Sequence, residues 1–259
     1  MAFSSNSVVR GVAFLAKSVF QRTTSAGAAL LKAAAANDSR ACHAAIESGA
    51  QVDVREAGGA TPLIVACGAG ALDAVLLLLA SGACPNAQTN FGSTALMKAC
   101  VAGCEDIVRI LLSYRAHIET RNAQGSTAVI CAACRGKIGC VRLLLSQGAD
   151  ANAQNKTGGS ALMNAAFNGH TEVCKALVEL GANASLKSAD GYTAAIYAAR
   201  NGHQNIVGFL LRTGGVQAVL GSGVGTSAST AASADTTQCS RGVADQQSSS
   251  LHLTIHDEL

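Results

Sequence analysis

Two cysteines three apart, Cys131 and Cys134, have the spacing of a redox pair or of half a zinc site, and Cys100, Cys104 and Cys140 lie nearby in the chain. A structural zinc needs four ligands, usually two such pairs, and the sequence contains no second CxxC. The remaining reactive residue types fare no better. His170 and His203 each follow a glycine, without the surrounding residues of a nucleophile dyad. No G-x-S-x-G elbow and no HExxH pair is present, and the glycine-rich stretch 214–225 lacks the Lys-Thr or Lys-Ser that completes a phosphate loop. These absences predict a chain that is not an enzyme, with no catalytic, cofactor-binding or metal-ligating residues.

The cysteines follow a different rule, a period of 33 residues. Thr61, Thr94, Thr127, Ser160 and Thr193 recur at that interval, and each has a glycine two places before it: Gly59, Gly92, Gly125, Gly158 and Gly191. Nine residues after the hydroxyl residue comes Gly70, Gly103, Gly136, Gly169 or Gly202, and twelve later Gly82, Gly148, Gly181 or Gly214, with Arg115 as the exception. In this phase Cys67 and Cys100 take the second place of a small-residue pair, and Cys140 and Cys174 fall on an apolar helical face. Such thiols behave as small core residues.

Each unit has a physical reading. The first glycine suits a turn with φ > 0, and the Thr or Ser hydroxyl caps a helix of about nine residues that the next glycine ends. The pairs Ala66-Cys67, Ala99-Cys100, Ala132-Ala133, Ala165-Ala166 and Ala198-Ala199 let neighbouring helices approach closely. A second helix carries apolar residues at spacings of three and four, as in Val75, Leu78 and Leu79, or Val108, Leu111 and Leu112. One unit cannot bury such a face alone, so stability must come from stacking.

The unit GATPLIVACGAGALDAVLLLLASGACPNAQ and its successors resemble ankyrin repeats. The resemblance implies an all-α solenoid of about six helix-turn-helix units joined by short β-hairpin-like loops. The expected units are 26–56, degenerate at its opening turn, then 57–89, 90–122, 123–155, 156–188 and 189–215. Departures are local: the family's TPLH becomes TPLI, TALM, TAVI, SALM and TAAI. Loss of that His removes a turn hydrogen bond, and its apolar replacement predicts more burial. His170 and His203 stand where the family commonly carries a structural His, and Asn86 and Asn152 where it is sometimes hydroxylated.

The family usually contacts proteins through its hairpin tips and inner helices. Read by phase, the tips give Asn90, Phe91, Gln124, Lys156, Thr157, Asp190 and Tyr192. The inner helices give Lys98, Val101, Arg135, Asn164, Phe167, Asn168, Tyr197, Arg200 and Asn201. Four of the nine aromatic residues of the chain fall in this set, and aromatics with Arg dominate binding hot spots. The stretch from Lys156 to Asn201 is the expected centre, where Ala at Phe167 and Tyr192 should weaken partner capture and leave the thermal midpoint nearly unchanged. The alternative role for Phe167 and Tyr197 is to fill space between repeats.

The implied function is a non-enzymatic, monomeric scaffold or adaptor for one or more proteins. Two alternatives stay open: a substrate-recognition subunit of a ubiquitin ligase or similar complex, and a lumenal binding protein of the endoplasmic reticulum. The net charge of +3 is low for 259 residues and no stretch concentrates Lys and Arg, which argues against nucleic acid. No apolar run reaches membrane-spanning length.

The ends point in different directions. Residues 1–25 hold Arg10, Lys17 and Arg22 and no acid, which reads as a transit segment for a mitochondrion or plastid, or as a loose arm. The tail 216–259 is rich in Ser, Thr, Ala and Gly, is expected to be disordered, and ends in His256, Asp257, Glu258 and Leu259, a retrieval signal of the endoplasmic reticulum. Thiols placed in helix interfaces favour the cytoplasm. Val207, Phe209, Leu210 and Leu211 with no polar cap behind them predict that the last unit is frayed or covered by a partner.

Overall fold

The computed structural model describes residues 25–215. It is an all-α stack of helix pairs: α1 (25–35) with α2 (Ser39–Glu47), α3 (Pro62–Ala69) with α4 (Leu72–Ala80), α5 (Ala95–Ala102) with α6 (Glu105–Ser113), α7 (Ala128–Cys134) with α8 (Ile138–Ser146), α9 (Ala161–Phe167) with α10 (Thr171–Glu179), and α11 (Ala194–Arg200) with α12 (Gln204–Leu210). A π-helical turn, Leu211–Gly215, follows. Gly214 thus lies inside that turn, whereas Gly49, Gly82, Gly148 and Gly181 have φ between 87° and 94° and Arg115 adopts φ 60° in their place.

Helix starts follow from the hydroxyl residues, though not uniformly. Thr94 Oγ1 accepts from the Met97 amide at 3.2 Å and Ser160 Oγ from Met163 at 3.3 Å, with Thr61 longer at 3.5 Å to Ile64. Thr127 and Thr193 depart from the expectation: both occupy the cap position without a cap hydrogen bond, and their hydroxyls are buried with no partner. Residues in place of the turn His are buried at Ile64, Met97, Ile130 and Met163 and half-buried at Ile196.

The core runs the length of the stack. Ala66, Cys67, Ala99, Cys100, Ala132, Ala133, Ala165 and Ala166 are fully enclosed. Cys140 and Cys174 are buried with the leucines of the second helices. First helices of successive pairs pack more closely than second helices do, because small residues face each other there. The stack therefore curves with α3, α5, α7, α9 and α11 on its concave side.

Two sets of hydrogen bonds join the units. On one edge Asp53, Asn86, Glu119 and Asn152 each accept from the backbone amide 31 residues on, at Cys84, His117, Asp150 and Asn183, over 2.7–3.1 Å. The amides of Asn86 and Asn152 also donate, to Arg115 O and Gly181 O, so both asparagines are structural joints. On the other edge the hairpin tips form a backbone ladder, Asn90 to Gly58, Ala123 to Phe91, Lys156 to Gln124 and Ala189 to Thr157, over 2.8–3.1 Å. Two isolated antiparallel bridges, Gln88 with Thr94 and Gln154 with Ser160, close the hairpins.

The last unit has an open side. A Cβ added to Gly158 would meet Ala189 N at 2.6 Å, and one added to Gly169 would meet the His203 ring at 2.6 Å; at Gly191 and Gly202 nothing lies within 4 Å. Ala199 is exposed where Ala133 and Ala166 are sealed. The N-terminal arm, the tail and the His256–Leu259 signal lie outside the described residues.

Candidate interaction surface

The backbone ladder turns the hairpin tips into a continuous ledge and leaves their side chains to project from it. Phe91 is 50% exposed, and Gln124, Lys156, Thr157 and Asp190 are exposed as well. Asn90 is exposed but spends its amide on Ala57 O at 3.1 Å. Thr157 donates its hydroxyl to Asn155 Oδ1 at 2.9 Å.

Below the ledge, the inner helices set the floor of a groove. Phe167, Tyr192 and Tyr197 are half-buried and form one aromatic group. Tyr197 meets Phe167 edge-on at 6.2 Å and Tyr192 edge-on at 5.8 Å between ring centroids. The Arg200 guanidinium lies 4.3 Å from the Tyr192 ring centroid, a cation–π contact. Tyr197 donates its hydroxyl to Ser188 Oγ at 3.1 Å, which fixes the ring angle. Phe167 and Tyr197 thus fill the joint between adjacent units while staying partly open to solvent.

The polar positions divide. Asn164 is buried and donates to Ser160 O at 2.8 Å within its own helix, so its amide braces α9 rather than projecting. Asn168 is half-buried and donates to Asn164 O at 2.8 Å and to Cys134 Sγ at 3.7 Å. Asn201 is exposed and donates to Tyr197 O. Val101 is buried. His170 and His203 donate from Nε2 to Cys134 O and Phe167 O, each at 3.1 Å, which ties a unit to the one before it.

Of the cations at these positions Lys98 and Arg135 are half-buried and Arg200 is exposed. Burial lowers the Lys98 pKa; Cys131 and Glu56 oppose that shift and the like charge of Arg135 reinforces it. Arg135, at the C-terminal end of α7, is half-buried, and its Nε and Nη2 are sealed from water without a hydrogen-bond partner. On other parts of the stack His43 pairs with Glu47, Arg142 with Glu179 and Lys175 with Glu172.

Among the described residues no cluster of three or more His, Cys, Asp or Glu is suited to a metal. Burial pushes Cys131 and Cys174 up to about 12 and raises Cys67 further, so each stays a protonated, unreactive thiol at neutral pH. A hydrogen bond with Cys140, together with burial, likewise holds Cys100 protonated.

The family model for ankyrin repeats, in three copies, matches residues 9–89, 30–122, 84–155 and 129–219. The chain belongs to the ankyrin-repeat family. A search of the curated proteins found no match. Ankyrin repeats are generally protein–protein interaction modules, and no helix among the described residues is long and apolar enough to cross a membrane. Two features of this ankyrin groove escaped sequence reasoning: the Ser188 brace on Tyr197 and the unpartnered edge of Arg135. The first has no sequence signal. The second had one, since no acid occurs within three or four residues of Arg135 on α7 or α8.

Proposed function

We propose that this ankyrin-repeat chain is a non-enzymatic scaffold that holds a partner protein against the hairpin ledge and the concave groove, with its centre between Lys156 and Asn201. The observation that carries the reading is the Phe167–Tyr197–Tyr192–Arg200 group. Large rings, held at fixed angles beside a cation and still half open to solvent, have the composition and rigidity of a binding hot spot. The cytoplasm is the proposed compartment, supported by free thiols throughout the helix interfaces.

Affinity capture with the full-length chain tests the function. Phe91→Ala and Tyr192→Ala are expected to lose the specific partners that the native chain retains, while Leu76→Ala, on the exposed side of α4, keeps them. Equal capture by all four proteins sinks the proposal. A fluorescent protein inserted at an internal loop, with both termini free, reads the compartment; a reticular pattern would move it to the lumen.

A further inference from the structure

The last described unit opens at particular columns of the repeat. Met163, Ala166 and Cys174 are buried, but their counterparts one unit on are not: Ile196 and Val207 are half-buried and Ala199 is exposed. These three columns therefore face the following unit. Ala195, Ala198, Ile206 and Leu210 stay buried without one, so their columns face the stack behind them. The result is an apolar end face on α11 and α12. The backbone ladder also stops there. Its last rung is Ala189 to Thr157, and the same interval puts the next acceptor at Asp190 O and the next donor at the amide of Ser222.

The chain that follows keeps the 33-residue interval. One interval past Thr193 stands Thr226, and Ala231-Ala232 takes the place of Ala198-Ala199. The columns that stay buried in the last unit continue as Ala228, Ala231, Cys239 and Val243, all apolar. The columns that open continue as Ser229, Ala232 and Ser240, two of the three polar. That division is the pattern of a terminal unit, apolar toward the stack and polar toward solvent. Low apolar content alone would not produce it. The connection has the right length as well, since Gly214 precedes Ser222 by the same number of residues as Gly181 precedes Ala189. Two departures are local: Ser227 replaces Ala194, and the turn glycine falls one place late, at Gly225.

We infer that residues 222–244 of this chain dock on the end face of α11 and α12 as a seventh, terminal unit, with Ala228 and Ala231 laid against Ile196, Ala199 and Val207. The occupant is the chain's own tail rather than a partner or a second copy, because either of those would leave the in-phase apolar columns of the tail without a use. The inference goes beyond the scaffold reading and does not depend on it. It extends the groove by one unit, in which the column of Tyr197 continues as Thr230.

Amide exchange of the full-length chain, read by mass spectrometry at a concentration where light scattering finds a monomer, tests this. Fragments from 226–244 should exchange on the order of tenfold or more slowly than a free peptide of the same sequence. Ala231→Glu and Val243→Asp put a charge in columns that face the stack. Each should return 226–244 to the free-peptide rate and speed exchange on α12. Ser229→Glu and Ser240→Glu lie in columns that face solvent and should change neither. Ala199→Glu, on the end face itself, should release the tail in the same way, and unchanged exchange on α3 to α8 checks that the rest of the stack is intact. The tail-side variants read the contact even if Ala199→Glu disturbs α11. Exchange of 226–244 at the free-peptide rate in the native chain overturns the inference, and so does an equal response to all four tail substitutions. Protection that appears only as concentration rises, with a doubled mass, assigns the face to a second copy and overturns it too.

Discussion

Gly158 and Gly191 occupy the same place in consecutive units and have nearly the same backbone, φ 73° and 77°, but they differ in what lies beyond them. Alanine at Gly191 meets open space and bears only the left-handed backbone penalty, roughly 1–2 kcal/mol. Alanine at Gly158 bears that penalty and drives its Cβ to 2.6 Å from Ala189 N and 2.9 Å from Ser188 C. Backbone cannot rotate aside as a side chain can. Overpacking of this kind adds roughly 1–3 kcal/mol, and weakening the Ala189-to-Thr157 rung, 2.9 Å long, adds about 1 kcal/mol. Gly158→Ala should therefore be less stable than Gly191→Ala by about 2–4 kcal/mol. Stacked units need not unfold together, so amide exchange read separately on α9 and α11 by mass spectrometry is the appropriate assay, with urea unfolding alongside. Gly158→Ala should speed exchange on both sides of the joint, and Gly191→Ala on α11 alone. If the two variants lose equal stability, the penalty is purely local and the ladder contributes nothing to the joint.

Other expectations follow from the same contacts. Thr94→Val removes a cap and should cost about 1 kcal/mol, whereas Thr127→Val removes a buried hydroxyl with no partner and should be neutral or stabilising by up to ~1 kcal/mol; urea midpoints of the two variants check the contrast. Asn152→Ala breaks bonds of 2.7 Å from Asn183 N and 3.3 Å to Gly181 O, with an expected loss of about 1–2 kcal/mol. Asn152→Asp keeps the acceptor and should recover most of it. Burial raises the folded pKa of Cys131 and Cys174 from 9.0 to about 12. Their contribution to stability is complete below the unfolded value and is lost as pH rises from there through the folded value, because the unfolded chain releases those protons first. The Cys131→Ala, Cys174→Ala double variant should show a shallower loss of stability between pH 9 and 12 in urea titrations.

Much of the fold was legible because spacing carries it. The strict 33-residue interval located the turn glycines, the buried small pairs and the apolar face of each second helix, and the burial of Ile64 and Met163 followed from their apolar type. Caps were less legible: Thr61, Thr94 and Thr127 look alike in sequence, and whether the hydroxyl reaches the amide two or three residues on is decided by side-chain rotation. The binding surface was the hardest to read. Phase placed Phe167, Tyr192 and Tyr197 together on one side, but not the edge-on packing that half-buries them. Truncation of Phe167 therefore costs stability as well as contact area, about 0.5–1.5 kcal/mol for a lost aromatic pair, contrary to a nearly unchanged thermal midpoint. Asn164 illustrates the reverse limit, since a polar residue in a contact column satisfied itself within its own helix. Partner identity has no signature in spacing at all, because the repeat encodes the frame and leaves the contact positions unconstrained.

The row of side chains at Asp53, Asn86, Glu119 and Asn152 shares one requirement, an oxygen that can receive an amide proton. A carboxylate and a carboxamide both accept there, and the chain uses both, the carboxamides of Asn86 and Asn152 adding a donated bond. The charge along that edge can be reset one unit at a time while each joint keeps its accepted amide proton, so solubility and long-range steering are adjustable in this molecule with little change to its shape.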